Sequence, residues 1–133
     1  MRIRFRLISA ALGALVLACS GAANIIGPGN QLEVTNAPDD FQFQVTSLAN
    51  VDQTLRYTWT NTGDSANVNQ SSAVTGGTAT LTVRDPAGVV VYSSNLQTNG
   101  TFHSSKSTTG AWKIEVKLVN ADGTVNFRVQ KAP

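Results

Sequence analysis

Apolar and polar residues alternate strictly along five stretches of the chain. Phe41, Phe43 and Val45 interleave with Gln42, Gln44 and Thr46, and Leu55, Tyr57 and Trp59 with Arg56, Thr58 and Thr60. Ala79, Leu81 and Val83 follow the same rhythm, as do Trp112 to Leu118 and Val125 to Val129. A period of two puts one set of side chains on each side of a strand, so each stretch predicts a half-buried antiparallel strand. The run Val89 to Tyr92 is apolar without a break, which predicts a strand covered on both faces or lying at a sheet corner. Shorter strands are expected near Leu32 to Thr35, Ala66 to Val74 and Thr101 to Ser104.

Turn chemistry separates these stretches. Asp85-Pro86-Ala87-Gly88 combines a side-chain acceptor, a preset φ and a residue free to take positive φ, and predicts a hairpin from Arg84 to Val89. Asn120-Ala121-Asp122-Gly123 predicts a second hairpin between Leu118 and Thr124. Thr62-Gly63-Asp64 and Thr75-Gly76-Gly77 punctuate the middle. No helical period follows the first 18 residues. The expected fold is all-β: an antiparallel β-sandwich, jelly-roll or immunoglobulin-like, of about seven to nine strands, with a small barrel as second choice.

The N-terminus is different in kind. Arg2, Arg4 and Arg6 precede an apolar run from Leu7 to Ala18. That run is about a dozen residues, short of the roughly 20 that a bilayer requires, and reads as the helix of a removable export signal. It ends in Val16-Leu17-Ala18-Cys19, and Cys19 is the only cysteine of the chain. The quartet resembles the lipobox of bacterial lipoproteins, with Leu17 bulkier than the commoner Ala or Ser. The resemblance implies cleavage before Cys19, a diacylglycerol on its thiol and an acyl chain on the new amino group. Because Ser20 rather than Asp follows, it also implies the outer membrane of a two-membrane host. Several acyl chains, at about 0.8 kcal/mol per buried methylene, anchor firmly. The alternative is an ordinary secretory signal cut elsewhere. On this reading residues 1–18 are the signal, 19–30 a lipidated tether interrupted by Gly27, Pro28 and Gly29, and 31–133 the sandwich. Ile25 and Ile26 in the tether are free to dock on the domain or touch lipid.

Removing the signal changes the charge. Three of ten basic residues leave and all eight acidic ones stay, so a formal +2 becomes −1 (seven minus eight). The remaining cations are scattered along the sequence, which argues against a nucleic-acid partner. With one cysteine, no internal disulfide is available, and stability must come from packing and hydrogen bonds.

The segment Leu81-Thr82-Val83-Arg84-Asp85-Pro86-Ala87-Gly88, then Val91-Tyr92, Gly100-Thr101-Phe102 and Gly110-Ala111-Trp112, is weakly similar to extracellular sandwich modules such as the Golgi-dynamics domain and the P domain of secreted proteases. The resemblance spans residues 79–118 and implies a sandwich whose role is to bind or stabilise partners.

Candidate chemistry is sparse. His103 is the sole histidine, beside Ser104 and Ser105, without a nucleophile motif. Asp39, Asp40, Asp52, Asp64, Asp85 and Asp122 fall in expected loops, where they serve as turn formers before calcium ligands. Trp59 and Trp112 sit in the apolar phase of their strands, which favours core over a sugar-stacking platform. Tyr92 and Phe102 are the better candidates for a surface contact. The threonines at 58, 60, 78, 80 and 82 line the opposite, solvated side. No catalytic residue, metal site or cofactor is expected. The expected function is that of a membrane-anchored, non-catalytic envelope module meeting another envelope protein or a surface glycan. A carbohydrate-binding module is the alternative.

Overall fold

The computed structural model describes residues 23–133. The expected signal helix and Cys19 fall within residues 1–22, outside the described residues. Among the described residues seven strands build one antiparallel sheet: β1 (Glu33–Ala37), β2 (Asp40–Asn61), β3 (Ala66–Gln70), β4 (Ala73–Arg84), β5 (Val90–Asn95), β6 (Gly100–His103) and β7 (Gly110–Lys131). A 3-10 turn at Pro28–Asn30 precedes them. Among the described residues no helix is long and apolar enough to cross a membrane.

β2 and β7 are each 22 residues long and pair along nearly their whole length. On the other edge of β7, β3 takes Phe127 to Lys131 and β4 takes Lys113 to Thr124. Between β3 and β4, Ser72 maintains the ladder: its hydroxyl accepts from the Asn126 amide at 2.9 Å and donates to the Asn126 carbonyl at 3.1 Å. β1 flanks the first half of β2, β6 flanks β3, and β5 flanks β4.

A flat sheet of these strands would leave its apolar side in water. Instead the three long strands bend along one line, and the sheet closes on itself as a sandwich. Registers slip between Val45 and Gln53 in β2 and between Val74 and Thr78 in β4. Ser47, Asn50, Asn120, Gly77 and Gly123 all take positive φ there. Two aspartates secure the crease. Asp122 accepts the Asn50 amide at 2.7 Å, and Asp52 accepts the Asn120 amide at 2.6 Å. Each satisfies a backbone donor that the broken ladder leaves without its regular partner. At Gly123 (φ 107°) a Cβ would collide with the Ala73 carbonyl oxygen, so the close approach of β4 to β7 requires glycine.

The bend turns β2 back on itself. Phe41 and Tyr57 belong to the same strand, yet their ring centroids lie 5.3 Å apart. Phe127 stacks on Phe43 at 5.1 Å beside them, and Trp59 meets Trp112 edge-on at 6.1 Å. Both tryptophans are fully buried, with their indole N–H groups donating to the Ala37 and Thr108 carbonyls. All five alternating stretches turn their apolar phase to this core, with Leu55 and Tyr57 only partly covered. At the end opposite the crease Asp39 clasps the two ends of β2, donating its amide to the Thr60 carbonyl and accepting the Thr62 amide.

Three sequence expectations change. Asn120–Gly123 does not reverse the chain; it bends β7, because its polar groups engage Asn50 and Asp52 across the strand pair. Likewise Thr75–Gly77 lies within β4. The apolar run at Val89 is neither doubly covered nor a corner: Val89 and Val90 are 59% and 47% exposed, and only Val91 is buried, at the start of edge strand β5. A register shift between Val83 and Arg84 accompanies it.

Gly123→Ala is expected to lower stability by about 3 kcal/mol, since it adds a backbone clash to an unfavourable φ. Gly88→Ala, at φ 86° but with open space around it, should cost only about 1 kcal/mol. Urea unfolding of both variants checks the ranking.

Candidate functional site

Folding the sheet leaves two broad outward faces, and their chemistry differs. The first face belongs to β1, the first half of β2, the second half of β7, β3 and β6. Its outward positions align by register: Thr35, Gln42, Arg128, Asn69 and Thr101 form one row. Glu33, Gln44 and Asn126 form the next. Around these two rows lies an open groove of about 440 Å³, whose side chains are mainly amides and hydroxyls. Each amide offers two donors and an acceptor, so the groove presents many hydrogen-bonding groups.

The second face belongs to the second half of β2, the first half of β7, β4 and β5. Thr58, Lys113 and Arg84 align in one row, and Arg56, Glu115, Thr82 and Ser93 in the next. Thr54, Lys117, Thr80 and Asn95 form a third. Arg56 donates to Glu115 at 3.1 Å, and the Lys113 ammonium donates to the Thr58 hydroxyl at 3.0 Å. The threonine stripe read from sequence is therefore only part of this face: four cations stand among the hydroxyls.

The candidate chemistry resolves as follows. His103 lies on β6 with Nδ1 2.5 Å from the Asn67 side-chain oxygen. Ser104 is not paired with it; the hydroxyl accepts the Ala66 amide and donates to the Ser105 carbonyl. β6 ends at His103, and the two side chains turn to different partners, so their adjacency in sequence does not bring the two groups together. Tyr92 and Phe102 are half-buried against the core, 6.3 Å apart, and the Tyr92 hydroxyl donates to Gln70, which is itself buried. They hold the two halves of the sandwich together and do not form a free surface patch. Among the described residues no group of three or more His, Cys, Asp or Glu side chains lies together.

Four aspartates work on backbone amides. Asp52 and Asp122 hold the crease, Asp39 the strand ends, and Asp85 the β4–β5 turn, where Oδ1 accepts the Ala87 and Val89 amides at 2.9 Å each. The other Asp85 oxygen accepts the Ser107 hydroxyl at 2.6 Å, tying this turn to the segment before β7. That hydroxyl, then the Val89 amide, holds the Asp85 carboxyl below its ordinary value of 3.8. The Thr62 amide, then the Thr62 hydroxyl, does the same for Asp39. Matched against protein families and curated sequences, the chain corresponds to none.

Both carboxyls have folded-state values below their unfolded ones. Their contribution is therefore present in full above the unfolded value and is lost as pH falls through the folded one. Melting temperature should drop on acidification from about pH 5 to pH 2. The drop should be shallower in Asp85→Asn, which cannot change charge; melting curves across that range check it.

Proposed function

We propose that the chain is a lipid-anchored protein of the bacterial envelope whose sandwich is a non-catalytic binding module. Supporting the anchor is the sequence Val16-Leu17-Ala18-Cys19 behind a basic, apolar start. The observation that carries the reading is how the described N-terminal segment is stitched to the crease. Asn24 exchanges backbone bonds with Asn50 and Asp52 at 2.8 and 3.0 Å, and its side-chain amide donates to the Ala49 carbonyl. The Ile26 amide donates to Gln53, and the Asn30 side chain donates to the Thr46 and Ser47 carbonyls. Ile26 packs on the core while Ile25 is 72% exposed.

Cys19 precedes Asn24 by five residues, which span at most about 17 Å. An acyl group there holds the crease end close to the bilayer and directs the Asp85–Gly88 turn away from it. Both sheet faces then stand upright, open to partners confined in the same layer. Confinement raises effective concentration, so weak contacts on a rigid face suffice. The amide-lined groove favours one specific form of this function, binding of a neutral glycan through its hydroxyls.

Two measurements test the proposal. Mass spectrometry of the native protein should find Cys19 as the first residue carrying acyl mass, and Cys19→Ser should move the protein to the soluble fraction. A different first residue without added mass contradicts the anchor. For the glycan form, Gln44→Ala with Asn126→Ala should weaken retention on insoluble neutral glycan by about tenfold, at roughly 0.5–1.5 kcal/mol for each lost hydrogen bond. Unchanged retention removes that form.

A further inference from the structure

Seven basic residues lie beyond residue 18, spread along the chain from Arg56 to Lys131. Four of them, Arg56, Arg84, Lys113 and Lys117, project from a single sheet face. Glu115 is the only acidic residue in these rows, and Arg56 engages it. Arg84, Lys113 and Lys117 form no ion pair among the described residues. The other seven acidic residues lie on the opposite face, the crease or the turns, so residues 23–133, with seven basic and eight acidic side chains, carry a locally positive plane.

The array has a definite geometry. Arg84 and Lys113 are opposed on neighbouring strands, about 5 Å apart at the backbone. Lys113 and Lys117 are separated along β7 by about 13 Å. Between them stand the hydroxyls of Thr58, Thr80 and Thr82, with Ser93 at the β5 edge. We propose that this face binds an acidic polysaccharide, with the cations meeting successive carboxylates and the threonine and serine hydroxyls meeting sugar hydroxyls.

Charge complementarity selects a polyanion. A pocket of about 340 Å³ in this face is lined by Tyr57 and Ile114 among Arg56, Thr58, Arg84, Lys113 and Glu115. Charged and hydroxyl side chains outnumber the apolar ones there, and no large hydrophobic side chain stands exposed at its centre, unlike the anchors that dominate protein interfaces. The face also has no apolar wedge to enter a bilayer, since the exposed Val89, Val90 and Val119 lie only at its rim, at the β4–β5 turn and beside the crease. A flat array of cations spread over several strands suits an extended polymer with regularly repeated charge. The inference does not depend on the lipid anchor, so either can fail alone.

The test is retention of the full chain, in non-ionic detergent, on immobilised polygalacturonate at low ionic strength. Wild type should bind and be released by salt, since contacts at an exposed face are screened. Arg84→Gln with Lys113→Gln and Lys117→Gln should reduce binding by about tenfold. Arg128→Gln, on the opposite face, should leave binding unchanged. Blue tryptophan emission confirms that each variant is folded. Should the triple variant fail to fold, Lys117→Gln alone must still weaken retention, because its ammonium makes no hydrogen bond among the described residues. The proposal is overturned if wild type is not retained, or if Arg128→Gln loses as much as the triple variant. Binding to phosphatidylglycerol vesicles with none to polygalacturonate overturns it too.

Discussion

Two carboxylates, Asp52 and Asp122, each take up a backbone amide of the neighbouring strand where the β2–β7 ladder breaks. Without such acceptors, bending a 22-residue strand pair in its middle would leave N–H groups unsatisfied at the edge of the core. With them, β2, β7 and β4 fold along one crease and the apolar sides of the two halves meet. The aromatic cluster of Phe41, Phe43, Tyr57 and Phe127, and the Trp59–Trp112 pair, all depend on that closure. No disulfide is needed to hold the halves together, because β2 and β7 run through both.

The crease also decides what the surface displays. Because β2 and β7 each contribute to both halves, the polar phase of each appears on two different outward faces. The polar residues of β2 supply Gln42 and Gln44 to the amide groove, then Arg56 and Thr58 to the cationic face. β7 supplies Lys113 and Lys117 to one face and Asn126 and Arg128 to the other. The described N-terminal segment, bonded to Asn50, Asp52 and Gln53, lies against the crease and away from both faces.

Much of this was legible from the order of residues. Period-two alternation identified the buried phase of all five stretches, because a half-buried strand imposes that pattern directly. The Asp85–Gly88 hairpin was equally readable, since its bonds are local. Asn120–Gly123 was misread for a physical reason: residues tolerant of positive φ serve a tight turn or a bulge equally well. What distinguishes the two is the partner, and Asn50 and Asp52 stand about 70 residues earlier in the chain. The cationic face was hidden in the same way. Arg84 and Lys113 are 29 positions apart, and only strand register makes them neighbours. Val89 and Val90 show the limit of composition, since an apolar run at a sheet edge looks like a covered one.

The closure of one strand upon itself can be measured without reference to function. Phe41 and Tyr57 are 16 positions apart in β2, and a straight strand would separate them by about 50 Å. Nuclear Overhauser contacts between their ring protons are expected at close range, consistent with centroids 5.3 Å apart. If those contacts are missing while the β2–β7 backbone contacts are present on both sides of Leu48, the sheet is open and the crease does not exist.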